Sequence, residues 1–114
     1  MDIYGLSHCD TIKKSRLWLA QHRLDYRFHD FKKEGVTPDQ LAAWAEQTSW
    51  EKLLNRSGTT WRKLPDDIKS GINAPEAAFV LMATHTSLIK RPVLVHQNGV
   101  LVGFNEAEYT ALFL

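Results

Sequence analysis

Cys9 is the only cysteine in the sequence. A short apolar run, Ile3-Tyr4-Gly5-Leu6, leads into it. A helical stretch, Asp10-Thr11-Ile12-Lys13-Lys14-Ser15-Arg16-Leu17-Trp18-Leu19, leads out. The order is strand, short loop, thiol, helix. A sulfur at a helix N-terminus meets backbone N–H groups that lack a partner inside the helix, together with the positive end of the helix dipole. Such surroundings lower a cysteine pKa from about 8.5 to between roughly 3.5 and 7.5, and the thiolate is the reactive form. By position alone the residue fits a small buried hydrophobe equally well, since free cysteine is among the most buried residue types.

The neighbours bear on that choice. An imidazolium at His8 would favour the thiolate, although adjacent residues on an extended segment point apart. Lys13 places a positive charge in the first helical turns, and Thr11 and Ser15 carry hydroxyls able to donate to a thiolate or an incoming ligand. Those hydroxyls fit local bonding within the helix equally well. Asp10 opposes the thiolate by like charge unless it caps the helix. His22, His29, His85 and His96 are scattered, with no Cys/His cluster at metal-ligand spacing, so no metal site is expected. Trp18, Trp44, Trp50 and Trp61 fall in helical segments and read as core.

The elements that must position these groups follow from periodicity. Residues 2–6 read as a strand and 10–22 as a helix, with Ile12, Ser15 and Leu19 on one face and Trp18 beside them. Tyr26 to Phe31 alternates apolar and polar, the period of a second strand. A β-α-β opening of this length implies parallel neighbours. From 37 to 84 the signals are helical. Thr37-Pro38-Asp39-Gln40, Thr48 to Glu51 and Asn73-Ala74-Pro75-Glu76 all carry capping-box spacing. Thr59 to Leu64 reads as a further short helix ended by Pro65, and Asn55 to Gly58 as a turn. Strand signals return at 92–95 and 100–102 around a turn containing Asn98-Gly99. A box at Asn105 to Glu108 then opens a last helix.

The bulk composition narrows the function classes. At 114 residues the chain is the size of one domain and can bury a core without disulfides. Fourteen Lys and Arg against thirteen Asp and Glu leave a formal charge of +1, no footprint for direct nucleic-acid or membrane-surface binding. A single cysteine suits a reducing compartment, and Asp2 and Cys9-Asp10 interrupt any signal-peptide core, so a cytoplasmic protein is expected. No apolar run approaches the ~18 residues of a transmembrane helix. A monomer is the simplest expectation for this surface composition.

A thiol at the first helix, a β-α-β then β-β-α order and a proline opening the third strand are the plan of a thioredoxin-like fold. Further residues sharpen this. Tyr4-Gly5 with Cys9-Asp10-Thr11 and Lys13-Lys14-Ser15, then Leu53-Leu54-Asn55-Arg56-Ser57-Gly58, Leu88-Ile89-Lys90-Arg91-Pro92-Val93 and Val102-Gly103-Phe104-Asn105-Glu106 stand in order along nearly the whole chain. In these residues the sequence resembles the arsenate reductase ArsC/Spx family, most closely its YffB-like branch. The resemblance implies one α/β domain over 1–114, with a mixed four-stranded sheet and a helical insertion at about 37–84. It also implies a cis bond before Pro92, where sequence alone would make trans the default, because only about 5–6% of X–Pro bonds in folded proteins are cis.

The resemblance further implies that Cys9 is a nucleophile and that Arg56 and Arg91 line an anion site. A permanently charged, planar guanidinium binds oxyanions and carboxylates through paired hydrogen bonds. Without the resemblance, either arginine would read as an ordinary solvated surface residue. The expected activity is a glutathione-linked thiol reductase acting by thiol-disulfide exchange or by oxyanion reduction through a mixed disulfide. Glutathione would be its co-substrate, glutaredoxin a possible partner, and no cofactor would be tightly bound. The competing expectation is an Spx-like protein-binding, transcription-regulatory module without catalysis.

The sequence departs from the family pattern in three places. Gly103-Phe104-Asn105 stands where the reductases carry a further arginine. Ile12 stands where the Cys-x-x-Cys of redox-switch members has its second cysteine. Lys13 replaces a usual arginine, keeping the charge but losing the planar fork. Together they point to a monothiol reaction resolved by an external thiol rather than to arsenate in particular.

Overall fold

The computed structural model describes all residues, Met1–Leu114. In chain order the elements are β1 (Asp2–Gly5), α1 (Asp10–Gln21), β2 (Arg27–Asp30), α2 (Phe31–Glu34), α3 (Pro38–Gln47), α4 (Trp50–Leu53) and α5 (Thr59–Arg62). There follow α6 (Asp66–Ser70), α7 (Pro75–Thr84), a 3-10 turn (Thr86–Leu88), β3 (Val93–His96), β4 (Gly99–Val102) and α8 (Glu106–Phe113). The chain divides into two compact units, one of 1–30 with 91–114 and one of 31–90.

The first unit holds the sheet, in the order β2-β1-β3-β4. β1 runs parallel to β2 and antiparallel to β3, which pairs antiparallel with β4. This is the mixed four-stranded sheet expected from the sequence. Ile3 pairs with Phe28 and Leu94, and Leu94 with Leu101, so one row of apolar side chains crosses one face. Trp18 and Leu19 of α1 and Tyr109 of α8 pack on that row. Trp18 and Phe104 both meet the Tyr109 ring edge to face, at 5.3 and 4.9 Å between centroids, an arrangement favoured by the ring quadrupoles. The buried hydroxyls of Ser15 and Tyr109 satisfy each other at 2.8 Å, tying α1 to α8. Ser15 is thereby committed to the core and not to the thiol.

Gly5 closes β1 where the first turn of α1 comes down on it. A Cβ there would collide with the side chain of Ile12. Ile12 is itself fully buried, so it cannot swing away cheaply. The glycine thus sets how close the helix start stands to the strand end.

The second unit is helical. Pro38 sits in the first turn of α3, whose N-cap Thr37 accepts from the Gln40 N–H at 3.1 Å. α3 packs on α7. Leu41, Leu53, Leu88, Ile89, Ala78 and Met82 are fully buried, and Trp44 faces Phe31 at 6.2 Å. An isolated antiparallel bridge joins Leu54 to Ile89, flanked by Asn55 N–H to Leu88 C=O and Lys90 N–H to Leu53 C=O, both 2.7 Å. Helices fill the expected 37–84 stretch, but the compact unit is wider.

Several boundaries differ from the sequence expectation. β2 ends at Asp30, and Phe31, expected as its last residue, instead opens α2 and is buried. α6 was not expected, although Pro65 followed by Asp66-Asp67 is an acidic helix start. The cap of α4 is Ser49, accepting from Lys52 N–H, and not Thr48. α7 opens on Pro75 with no side-chain cap from Asn73. In the hairpin, His96 pairs with Gly99, so the turn residues are Gln97-Asn98. Gly99, at φ 151, lies in the strand rather than in the turn.

Replacing Gly5 by valine is expected to destabilise the fold by about 1–3 kcal/mol, the usual cost of overpacking. Urea unfolding measures it. A variant as stable as the parent would show that the α1–β1 approach is not tight.

Candidate active site

Cys9 is the N-cap residue of α1, partly buried, with extended backbone (φ −80, ψ 129). Its N–H bonds Leu6 C=O and its C=O accepts from Lys13 N–H, each at 3.1 Å, so a tight turn delivers the residue straight into the helix. Asp10 lies in the first turn and does not take the cap position. In an N-cap residue the side chain looks at the N–H groups of the second and third helical residues. Here those are Thr11 and Ile12.

The thiol is held below its ordinary pKa by a balance of opposing causes. Burial pushes it up. Against this act the Ile12 N–H, a hydrogen bond from the Arg91 side chain, the Thr11 N–H and the positive charge of Arg91, and together they win. The helix start and one arginine therefore favour the thiolate, as anion sites at helix N-termini do. Arg91 comes from the residue before β3, and its peptide bond to Pro92 is cis, as expected. Its Cβ is 3.9 Å from the position a Cβ on Gly5 would take, at the same end of the sheet. Pro92 is fully buried, and its C=O accepts from Gly103 N–H at 2.8 Å.

Of the residues singled out by sequence, Cys9, Thr11 and Arg91 come together, with Pro92 next to Arg91. Thr11 contributes through its backbone N–H. His8 and Lys13 are exposed, and neither is among the groups that lower the thiol pKa. Ile12 N–H is the contributor missed from sequence, where Ile12 stood out for its place on the apolar face of the helix and at the second-cysteine position, not for its amide. Its signal was available in the spacing of an N-cap to its third helical residue.

The Gly103-Phe104-Asn105 segment is consumed by structure. Gly103 has a left-handed φ of 82, Phe104 packs on Tyr109, and the Asn105 side chain caps α8 by accepting from Glu108 N–H at 3.1 Å. None of the three carries a cation towards a ligand.

Arg56 belongs to the second unit, in the loop between α4 and α5. Asn55 Oδ1 shapes that loop by accepting from Ser57 N–H at 3.2 Å and Ser57 Oγ at 2.9 Å. Trp50 and Trp61, expected as core, are only partly buried, and both flank the Arg56 guanidinium.

The sequence pattern of the ArsC family matches residues 4–112. The chain belongs to the ArsC family. Its fold is thioredoxin-like: it superposes on the YFFB protein with a TM-score of 0.91 at 42% identity, covering 96% of both chains. An arsenate reductase (ArsC) related protein from Brucella melitensis matches at TM-score 0.77 and 48% identity, over 98% of this chain and 92% of that one. The global transcriptional regulator Spx of Streptococcus pyogenes is 27% identical over 105 residues, 90% of this chain and 77% of its own. The family thus includes both reductase-related proteins and regulators. No helix is long and apolar enough to cross a membrane.

Replacing Arg91 by glutamine removes two of the influences that lower the thiol pKa. The midpoint of Cys9 alkylation against pH should therefore move upward, so that less thiolate is present at neutral pH. His8→Ala should leave the profile where it was. Iodoacetamide labelling followed by intact mass checks both.

Proposed function

We propose that the protein is a glutathione-dependent monothiol reductase. The single observation that carries this reading is the thiol of Cys9, held below its ordinary pKa by the start of α1 and by Arg91. With one cysteine in the chain, a Cys9 intermediate has no internal thiol to resolve it. An external thiol must do so, and glutathione is the ligand class that the family resemblance supports.

In the exchange reaction the Cys9 thiolate attacks one sulfur of a disulfide. A Cys9–S–S bond forms, the old S–S bond breaks, and the departing thiolate takes the electron pair. A glutathione thiolate, or glutaredoxin, then attacks the mixed disulfide and releases Cys9. Arg91 steadies Cys9 as the thiolate, both before attack and as it departs. Arg56 is assigned to the anionic part of glutathione or substrate on the strength of its family motif. A small oxyanion would instead be attacked at its central atom, an S–(central atom) bond forming as one protonated oxygen leaves as water; arsenate is the less supported substrate because Gly103-Phe104-Asn105 supplies no further arginine. The proposed setting is a monomer in a reducing cytoplasm, with no tightly bound cofactor.

A second reading is favoured by one observation, the 27% identity to Spx over 90% of this chain. In it the protein is a regulatory binding module that needs no catalytic thiol.

Incubation with oxidised glutathione should give one glutathione adduct by intact mass, absent in Cys9→Ser and removed by reduced glutathione. Disulfide reduction coupled to glutathione turnover should fall at least a hundredfold in Cys9→Ser, as expected when a nucleophile is lost. A thiol that forms no adduct and titrates near its ordinary value of about 8.5 would overturn the reductase reading in favour of the regulatory one.

A further inference from the structure

Arg56 is an exposed side chain whose charge is met by aromatic faces and not by a carboxylate. Its Cζ lies 5.8 Å from the centre of the Trp50 ring and 5.5 Å from that of Trp61. No ion pair involves it. A guanidinium within about 6 Å of an indole face is held by the ring quadrupole, and tryptophan is the strongest such partner. A ring face, unlike a carboxylate, neither neutralises the charge nor occupies the N–H donors. The cation is placed while its binding capacity stays open.

The backbone beneath it is equally constrained. The Leu54–Ile89 bridge and the 2.7 Å bond from Asn55 N–H to Leu88 C=O pin the residues before Arg56. The Asn55 side chain pins Ser57 after it. A Cβ on Gly58 would stand 3.0 Å from Asn55 Nδ2, so the loop is close-packed there too. Arg56 is thus held at its Cα by the loop and at its tip by two rings. A long, rotamer-rich side chain fixed at both ends has already lost the freedom that binding would otherwise take from it.

We propose that Trp50 and Trp61 are positioning residues that pre-organise the Arg56 guanidinium to bind a carboxylate of glutathione. The inference rests on the glutathione reading above. Neither ring need touch the ligand. Each acts through Arg56, which fixes where a planar carboxylate can meet the N–H fork.

The test is a double-mutant cycle read by calorimetry, with S-methylglutathione as an unreactive probe and the full-length chain throughout. Trp61→Leu should raise Kd roughly two- to fivefold, the scale of one exposed cation–π contact. Trp61→Phe, which keeps a ring face, should restore most of that loss. Arg56→Gln should weaken binding on the order of tenfold or more. In the Arg56→Gln background, Trp61→Leu should then add nothing further. In the unmodified protein the Arg56 Nε–H proton should also resonate upfield through the ring currents of the two indoles.

If Trp61→Leu weakens binding equally in both backgrounds, or leaves it unchanged while Arg56→Gln weakens it, the positioning role is overturned and the glutathione reading stands. An Arg56 Nε–H proton with no upfield shift overturns the positioning role however the variants fold. If the unmodified protein does not bind the tripeptide, the glutathione reading itself fails and the positioning role falls with it.

Discussion

The approach of α1 to the end of β1 is the constraint on which the candidate site depends. Only a glycine at position 5 lets Ile12 seat against the strand end. Ile12 is also the residue whose N–H does most among the backbone groups to favour the Cys9 thiolate. Packing and reactivity are therefore coupled through one residue. Its side chain is buried in the core, and its N–H is among the groups that lower the thiol pKa.

A second support comes from the other end of the sequence. Arg91 and the cis bond to Pro92 lie directly before β3, the central strand that pairs with β1. Because β3 is anchored by Val93 and Leu94, both fully buried, the arginine that bonds the sulfur stands on a rigid strand start. α8 braces α1 through the Ser15–Tyr109 hydrogen bond and the edge-to-face contact of Trp18 with Tyr109. Loss of either hydroxyl would strand its partner in the core, at a cost of about 1–3 kcal/mol.

The family contains reductase-related proteins and regulators on one fold, so the fold alone does not choose between them. What distinguishes this chain is which positions are given to chemistry and which to structure. Position 12 has no sulfur and works through its amide. The Gly103-Phe104-Asn105 segment makes a left-handed turn, fills the core and caps a helix. Arg91 stands beside the thiol in the first unit, and Arg56 stands beside its tryptophans in the second.

Much of this was legible in the residues themselves, because its causes are local. Alternation and 3.6-residue spacing set the strands and long helices, Thr37 and Asn105 marked helix starts, and the thiol preceding α1 announced a helix-capped cysteine. The motif around Arg91-Pro92, read through its family resemblance, pointed to the cis bond. Local signals were weaker where competing residues stood side by side, so the cap of α4 moved from Thr48 to Ser49 and the hairpin turn from Asn98-Gly99 to Gln97-Asn98. Other features rest on contacts between residues distant in sequence. That Ser15 serves Tyr109 and not the thiol is decided by a partner 94 positions away. That Arg91 reaches the sulfur from 82 positions away, while His8 beside it lies exposed, is decided by where β3 brings the arginine. Sequence determined which groups could react; only the tertiary structure decided which of them meet, because proximity across the fold comes from packing.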